Sequence, residues 1–319
     1  MKYIASLLLL TAVSNYSLSQ TNLTPAESWC SHPPRPAFNK LTEIQTTSHW
    51  FKVYSIARGV LAIVEPYNFE EVISYLIIGE KKALLFDTGM GLDSISPVIA
   101  QLTQLPVTVI NSHTHFDHTG GNYEFKNILA LQTPFTKHHA KQGWPHDAVK
   151  QEVTPAALCW QYLPGADTAN YSIKPFAVSR FVQEGDEIDL GGIKLYIMRA
   201  PGHTPDAIAL LDKQNGFLWT GDTFYEGPIY LFNEETDLHA YEKSIAKLAG
   251  LVPVLKKVFP SHNNPVCIPE RLTSLVHDFA AVKNGKATGT DNGENALLFQ
   301  FDSFGFLIGK DILKKFRGQ

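Results

Sequence analysis

The run His113-Thr114-His115-Phe116-Asp117-His118 puts three imidazoles and a carboxylate into six residues, directly after the apolar stretch Val107-Thr108-Val109-Ile110-Asn111. Packing does not account for four potential ligands so close together. Neutral imidazoles suit zinc, and a carboxylate can hold a second ion or orient a water. Such a site needs ligands from distant loops too, and the chain offers His203, Asp222 and His262. Each sits in a short turn-like segment with Gly or Pro close by. Each also follows an apolar, strand-like run: Ile193 to Met198, Gly216 to Trp219, and Val258-Phe259. Strands must therefore end along one edge, where their loops converge.

Between those anchors the pattern is mixed. From His49 to Asp87, runs rich in Val, Ile, Tyr and Phe alternate with turns at Arg58-Gly59, Pro66 to Asn68 and Gly79 to Lys82, which predicts an antiparallel meander. Leu92 to Leu105 carries apolar residues on one helical face, with Asp93 and Ser94 available to begin the helix. Asp237 to Leu251 and Pro269 to Ala281 read as further helices. Ala296 to Ile308 alternates and is expected to close an edge of the second sheet. Residues 134–172, with many Pro, His and Trp, form the least regular stretch and read as an insertion over the ligand edge. Two mixed sheets with helices on both outer faces give an α/β fold, an αββα sandwich.

The motif set, His-x-His-x-Asp-His followed by an isolated His, an Asp and a last His, resembles that of the metallo-β-lactamase-fold hydrolases. Asp87 in Leu84-Leu85-Phe86-Asp87-Thr88-Gly89 resembles their first motif, and matching positions run from about Val53 to His262. The resemblance implies that His113, His115 and His203 hold one metal, that Asp117, His118 and His262 hold another, and that Asp222 bridges them. Two zinc ions per chain are expected, with iron or manganese also compatible with these ligands. The implied chemistry is a shared hydroxide attacking a carbonyl, with Asp117 relaying protons. Asp87 is expected to anchor the ligand loops rather than to coordinate. Gly120, Gly121 and Gly202 should permit tight turns beside the ligands.

Asp222 argues against the β-lactamase subclasses that lack an Asp at that point. Tyr225, three residues later, gives an Asp-x-x-Tyr similar to lactonases and acyl-CoA thioesterases of the superfamily, where a phenol could stabilise an oxyanion. The lactonase and glyoxalase II branches continue Gly-His-Thr-x-Gly-His, whereas this chain reads Gly202-His203-Thr204-Pro205-Asp206-Ala207. The resemblance thus implies an ester, thioester or lactone hydrolase. The alternatives are β-lactam amide hydrolysis and an iron-dependent persulfide dioxygenase. Phe224 and Pro228 to Phe232 could line an acyl pocket. His138, His139 and His146, in the insertion, could touch substrate, whereas His32, His49, His239 and His277 lack motif context.

The chain of 319 residues, with 44% hydrophobic and 18% charged side chains, can bury a sizeable core. Residues 1–19 read as a signal peptide: one Lys, a short apolar run, then Ser17 and Ser19 before the cut. Residues 20–48 are an extended lead-in, and 49–319 form one catalytic domain. The expected destination is periplasmic or secreted, with no stable membrane anchor after cleavage. A net charge of −4 gives no basic footprint for nucleic acid, so a small-molecule substrate is expected and the oligomeric state is left open. Cys30, Cys159 and Cys267 allow at most one disulfide, and pairing and simple burial both remain open.

Overall fold

A computed structural model describes Cys30 and residues 34–318. The expected signal peptide, much of the lead-in and His32 lie outside the described residues. The first sheet has eight strands in chain order: β1 (Thr42–Ile44), β2 (Lys52–Ala57), β3 (Val60–Val64), β4 (Ile73–Ile78), β5 (Ala83–Phe86), β6 (Val107–Ile110), β7 (Ile128–Leu131) and β8 (Arg180–Val182). Strands β1 to β5 pair antiparallel, as the meander predicts, whereas β5 to β8 pair parallel. The lead-in is more structured than the expected extended segment. A short 3-10 helix at Pro36–Lys40 buries Phe38, and β1 adds an edge strand to the sheet.

The second sheet contains β9 (Glu187–Asp189), β10 (Lys194–Arg199), β11 (Ile208–Asp212), β12 (Phe217–Gly221) and, beyond β13 (Pro228–Leu231), β14 (Lys257–Pro260). Its order is β14-β12-β11-β10-β9. The C-terminal strands do not extend this sheet, contrary to expectation. Strands β15 (Thr290–Asp291), β16 (Ala296–Gln300) and β17 (Gly305–Gly309) join β13 in a separate four-stranded sheet. β13 pairs parallel with β17, from Pro228 opposite Gly305 to Leu231 opposite Ile308.

Period-two alternation explains why two sheets stack. In β5, Leu84 and Phe86 face the second sheet, joining Tyr75, Ile77, Leu195, Ile197, Leu210, Trp219 and Phe259 in one buried cluster. Ala83 and Leu85 face the other way, toward Ile95, Val98 and Ile99 around α1 (Ser96–Leu102). That helix is shorter than the predicted span, because Asp93 caps only Ser94 and Glu124 accepts from the N–H groups of Ile95 and Ser96.

On the far face of the second sheet, Ala209, Leu211, Leu218 and Val258 meet α5 (Leu238–Ala249) and α6 (Glu270–Lys283). These follow the short helix α2 (Phe116–Thr119) and two helices between β7 and β8, α3 (Pro134–Gln142) and α4 (His146–Val149). The C-terminal α7 (Lys310–Arg317) adds Leu313 and Phe316 to the outer core. Asp237 caps α5 by accepting from His239 and Ala240. A disulfide joins Cys30 of the lead-in to Cys159 of the insertion, and Cys267 is free and buried.

Candidate metal centre

All seven candidate ligands leave strand ends at one edge of the sandwich. β6 delivers His113 and His115, and α2 follows at once with Asp117 and His118. The β10–β11 connection carries His203, Asp222 directly follows β12, and β14 leads into His262. Close backbone approach makes this possible. A Cβ on Gly202, at φ 143°, would lie 2.3 Å from the Cα of Tyr241 in α5. A Cβ on Gly120 would lie 2.2 Å from the carbonyl carbon of Met90, so the loop carrying Asp87 could not pass α2.

The side chains form two adjoining groups, His113 with His115 and His203, and Asp117 with His118, Asp222 and His262. Asp222 spans them, with Oδ2 3.7 Å from His203 Nε2 and 3.2 Å from His262 Nε2. Oδ1 of Asp222 is 3.4 Å from His118 Nε2. Asp117 Oδ2 stands 3.1 Å from His118 Nε2 and 3.4 Å from His262 Nε2. All seven are buried.

The outer hydrogen bonds fix which nitrogen carries each proton. His203 Nδ1 donates to the Tyr230 carbonyl and His262 Nδ1 to the Glu70 carbonyl, both at 2.7 Å. His118 Nδ1 donates to Asp87 at 3.0 Å, and His115 Nε2 donates to Glu235 at 2.7 Å. His115 and His203 therefore turn a lone pair inward, while the inward nitrogens of His118 and His262 face Asp117 and Asp222. His115 Nδ1 and His203 Nε2 face each other at 3.0 Å with no proton left to share. His113 Nε2, His118 Nε2 and Asp222 Oδ1 are buried without a hydrogen-bond partner. Converging lone pairs and carboxylates in a dry site are repulsive unless cations lie among them. The donor set, imidazole nitrogen and carboxylate oxygen, fits borderline divalent ions such as zinc.

Charge differs between the two groups. Burial, reinforced by neighbouring imidazoles, holds His113 well below the usual imidazole range and His203 down at about 4. In the second group burial also disfavours the cation, but carboxylates outweigh it. Asp117, Asp222 and Asp87 raise His118 well above its usual value, and Asp222 and Asp117 raise His262 to about 9. The carboxylates that draw a proton there are the ones that would draw a metal.

Asp87 stands outside both groups. Its Oδ1 accepts from the Ser112 N–H at 2.6 Å, and its Oδ2 accepts from His118 and from Ser261 Oγ, both at 3.0 Å. One carboxylate thus pins the loops after β6 and β14. It does so at φ 66°, a strained conformation for a residue with a Cβ.

Tyr225 differs from its expected role. The ring packs 4.9 Å from that of His262, but the hydroxyl donates to the Pro228 carbonyl at 2.5 Å, so its one proton is not aimed at the centre. Phe224 is core rather than pocket, wholly buried against Phe304. Ile229 and Leu231 are also core, while Pro228 and Tyr230, on the other face of β13, border a cleft.

The insertion does overhang the first group. Trp144 Nε1 donates to the Thr114 carbonyl, the Trp144 ring lies 5.9 Å from His115, and His139 stacks on Trp144 at 4.1 Å. His146 Nδ1 pairs with the Tyr171 carbonyl, and His138, like His49, His239 and His277, is exposed.

Two residues outside any motif complete the surroundings. Glu235 orients His115, and Asp206 accepts hydroxyl protons from Thr114 and Thr136 on Oδ2, at 2.6 and 2.9 Å, and from Thr204 on Oδ1 at 2.8 Å. The one sequence signal was that Asp206 departs from the Gly-His-Thr-x-Gly-His pattern.

A mixed sandwich that gathers two adjoining imidazole–carboxylate groups at one sheet edge is the architecture of a metallo-hydrolase. The sequence model of the Metallo-beta-lactamase superfamily matches residues 68–262, and the chain belongs to that superfamily. It is 28% identical to the acyl-coenzyme A thioesterase MBLAC2 of Gallus gallus, over 72% of this chain and 86% of the relative. It is also 28% identical to a hydroxyacylglutathione hydrolase of Idiomarina loihiensis, over 57% and 56% of the two chains. Among solved structures, a metallo-beta-lactamase from Pontibacter korlensis overlays with a TM-score of 0.53 at 17% identity, covering 72% of this chain and 99% of the other. That likeness speaks to the fold.

Proposed function

We propose that the protein hydrolyses an ester, thioester or lactone carbonyl at a binuclear zinc centre. The observation that carries this reading is the set of inward lone pairs and carboxylates, divided by Asp222 into two adjoining groups. His113, His115 and His203 would hold one ion, Asp117, His118 and His262 the other, and Asp222 both. Two such cations, when bound, lower the pKa of a water toward ~7 and polarise the carbonyl under attack. Asp117, beside His118 and His262, would hold the proton given up by water and pass it to the departing oxygen or sulfur. Water and thioester thereby become carboxylic acid and thiol, with no oxidant required. Tyr225 supports His262 by packing and takes no part in the proton transfers.

Similarity to an acyl-coenzyme A thioesterase and a hydroxyacylglutathione hydrolase favours carboxyl esters and thioesters over β-lactams. The Cys30–Cys159 disulfide supports a periplasmic or secreted destination, where such bonds persist. The test is turnover of a panel of acyl thioesters, lactones, a β-lactam and a persulfide by protein loaded with zinc and, separately, with iron. Hydrolysis of thioesters or lactones supports the reading, and persulfide oxidation with a single iron would overturn it.

A further inference from the structure

His262 is oriented by a carbonyl from a distant loop. Its Nδ1 donates to the backbone oxygen of Glu70, in the connection 65–72 between β3 and β4. The same segment grips the turn after β14 on both sides of that contact. The Ile73 N–H donates to the Ser261 carbonyl, the Asn263 N–H donates to the Glu71 carbonyl, and Val72 pairs antiparallel with His262. Where the Glu70 carbonyl stands therefore sets where the His262 ring points.

The sheets alone do not shape this loop. Glu71 sits at φ 46°, a strained conformation for a residue with a Cβ, and the wholly buried Asn68 holds it there. Asn68 Oδ1 accepts from the Glu70 N–H at 2.9 Å, and its backbone carbonyl accepts from the Glu71 N–H at 3.0 Å. Together these bonds close the turn that aims the Glu70 carbonyl. The other end of the amide, Nδ2, donates to the Glu152 carbonyl of the insertion at 2.8 Å. Around it the two backbones are laced together. The Phe69 N–H donates to the Ala157 carbonyl and the Cys159 N–H to the Tyr67 carbonyl, both at 2.8 Å. Tyr67 stacks on Tyr162, and the disulfide ties Cys159 to Cys30. The insertion thus overhangs the first ligand group through Trp144 and reaches the second through Asn68.

We propose that Asn68 is a positioning residue for the metal centre, coupling the insertion to His262 by fixing the carbonyl that orients its ring. An amide suits this task because it supplies an acceptor to Glu70 and a donor to Glu152 at once, whereas an ionised Asp lacks the donor.

The test is NMR of the full chain, isotope-labelled at its histidine nitrogens, following solvent exchange of the Nδ1 protons in zinc-loaded and in metal-free protein. His203 is the internal reference, because its Nδ1 makes a bond of the same length to the Tyr230 carbonyl, a bond in which Asn68 has no part. Asn68→Ala should speed exchange at His262 by about 10-fold and leave His203 unchanged. Asn68→Ser keeps a hydroxyl acceptor for the Glu70 N–H and should speed it by about threefold. If the Ala variant does not fold, the Ser variant decides. No acceleration at His262, or equal acceleration at both rings as a general loosening would give, overturns the proposal.

A second readout rests on the two-metal reading. In chelator competition one zinc ion should bind up to ~10-fold more weakly to Asn68→Ala while the other keeps its affinity. Unchanged affinity of both ions would overturn the proposal, since the ring's orientation would then not serve the metal. Faster exchange at His262 in a protein that takes up only one zinc would count against the two-metal reading and leave this one standing.

Discussion

Replacing Asp206 by Ala should destabilise the fold by about 3 kcal/mol and loosen the first ligand group. Asp206 and the three threonines it serves, Thr114, Thr136 and Thr204, are all buried. Thr114 lies between His113 and His115, Thr204 follows His203, and Thr136 is in the first turn of α3. One carboxylate therefore ties a loop from each sheet to the insertion. After truncation Thr136 can still turn to Thr133 Oγ1, 2.9 Å away, whereas the hydroxyls of Thr114 and Thr204 lose their partner. Two stranded hydroxyls at ~1–2 kcal/mol each, plus a lost charge-assisted bond partly repaid by not burying the carboxylate, give about 3 kcal/mol. The assay is urea unfolding of metal-free protein, so that ligand binding does not mask the loss. Asp206→Asn, which keeps the shape and one acceptor, should lose about 1 kcal/mol. A loss below about 1 kcal/mol for Asp206→Ala would refute the reasoning.

Two further residues give separate outcomes. Glu65 is buried beneath the Asp87 loop, accepting from Trp50 Nε1 and the Met90 N–H, and burial raises its pKa from 4.5 to about 8 despite those bonds. Between those values the folded chain keeps a proton that the unfolded chain has lost, so Glu65 makes stability fall as pH rises through that window. The slope is at most about 1.4 kcal/mol per pH unit, and Glu65→Gln should remove it. Parallel stability–pH curves for the two proteins would show the assignment to be wrong. Glu235→Ala should weaken zinc at the first group by about 10- to 100-fold in chelator competition, while Glu235→Gln, which still offers an acceptor to His115, restores most of it. Unchanged affinity in the Ala variant would remove Glu235 from the centre's support.

The ligands were legible in the sequence because each follows an apolar run and sits beside Gly or Pro, so the covalent chain announces both the strand and its loop. The meander from β2 to β5 and the capped helix α5 were legible for the same reason: local periodicity and turn chemistry act over a few residues. What escaped was long-range. Glu235 meets His115 across 120 residues and Asp206 meets Thr114 across 92, and nothing local marks either partnership. Tyr225 was misread because a motif specifies where a phenol stands but not which carbonyl takes its proton. The four-stranded sheet was missed because alternation in β16 and β17 shows that they pair, without showing that β13 is their partner.

The central claim is that one edge of this sandwich holds two cations side by side. Its most direct measurement is the metal content of the full chain after dialysis against zinc, compared with that of His118→Ala. Two ions per chain, falling to one in the variant while His113, His115 and His203 keep theirs, is the predicted result. One ion or fewer in the unaltered protein would contradict it.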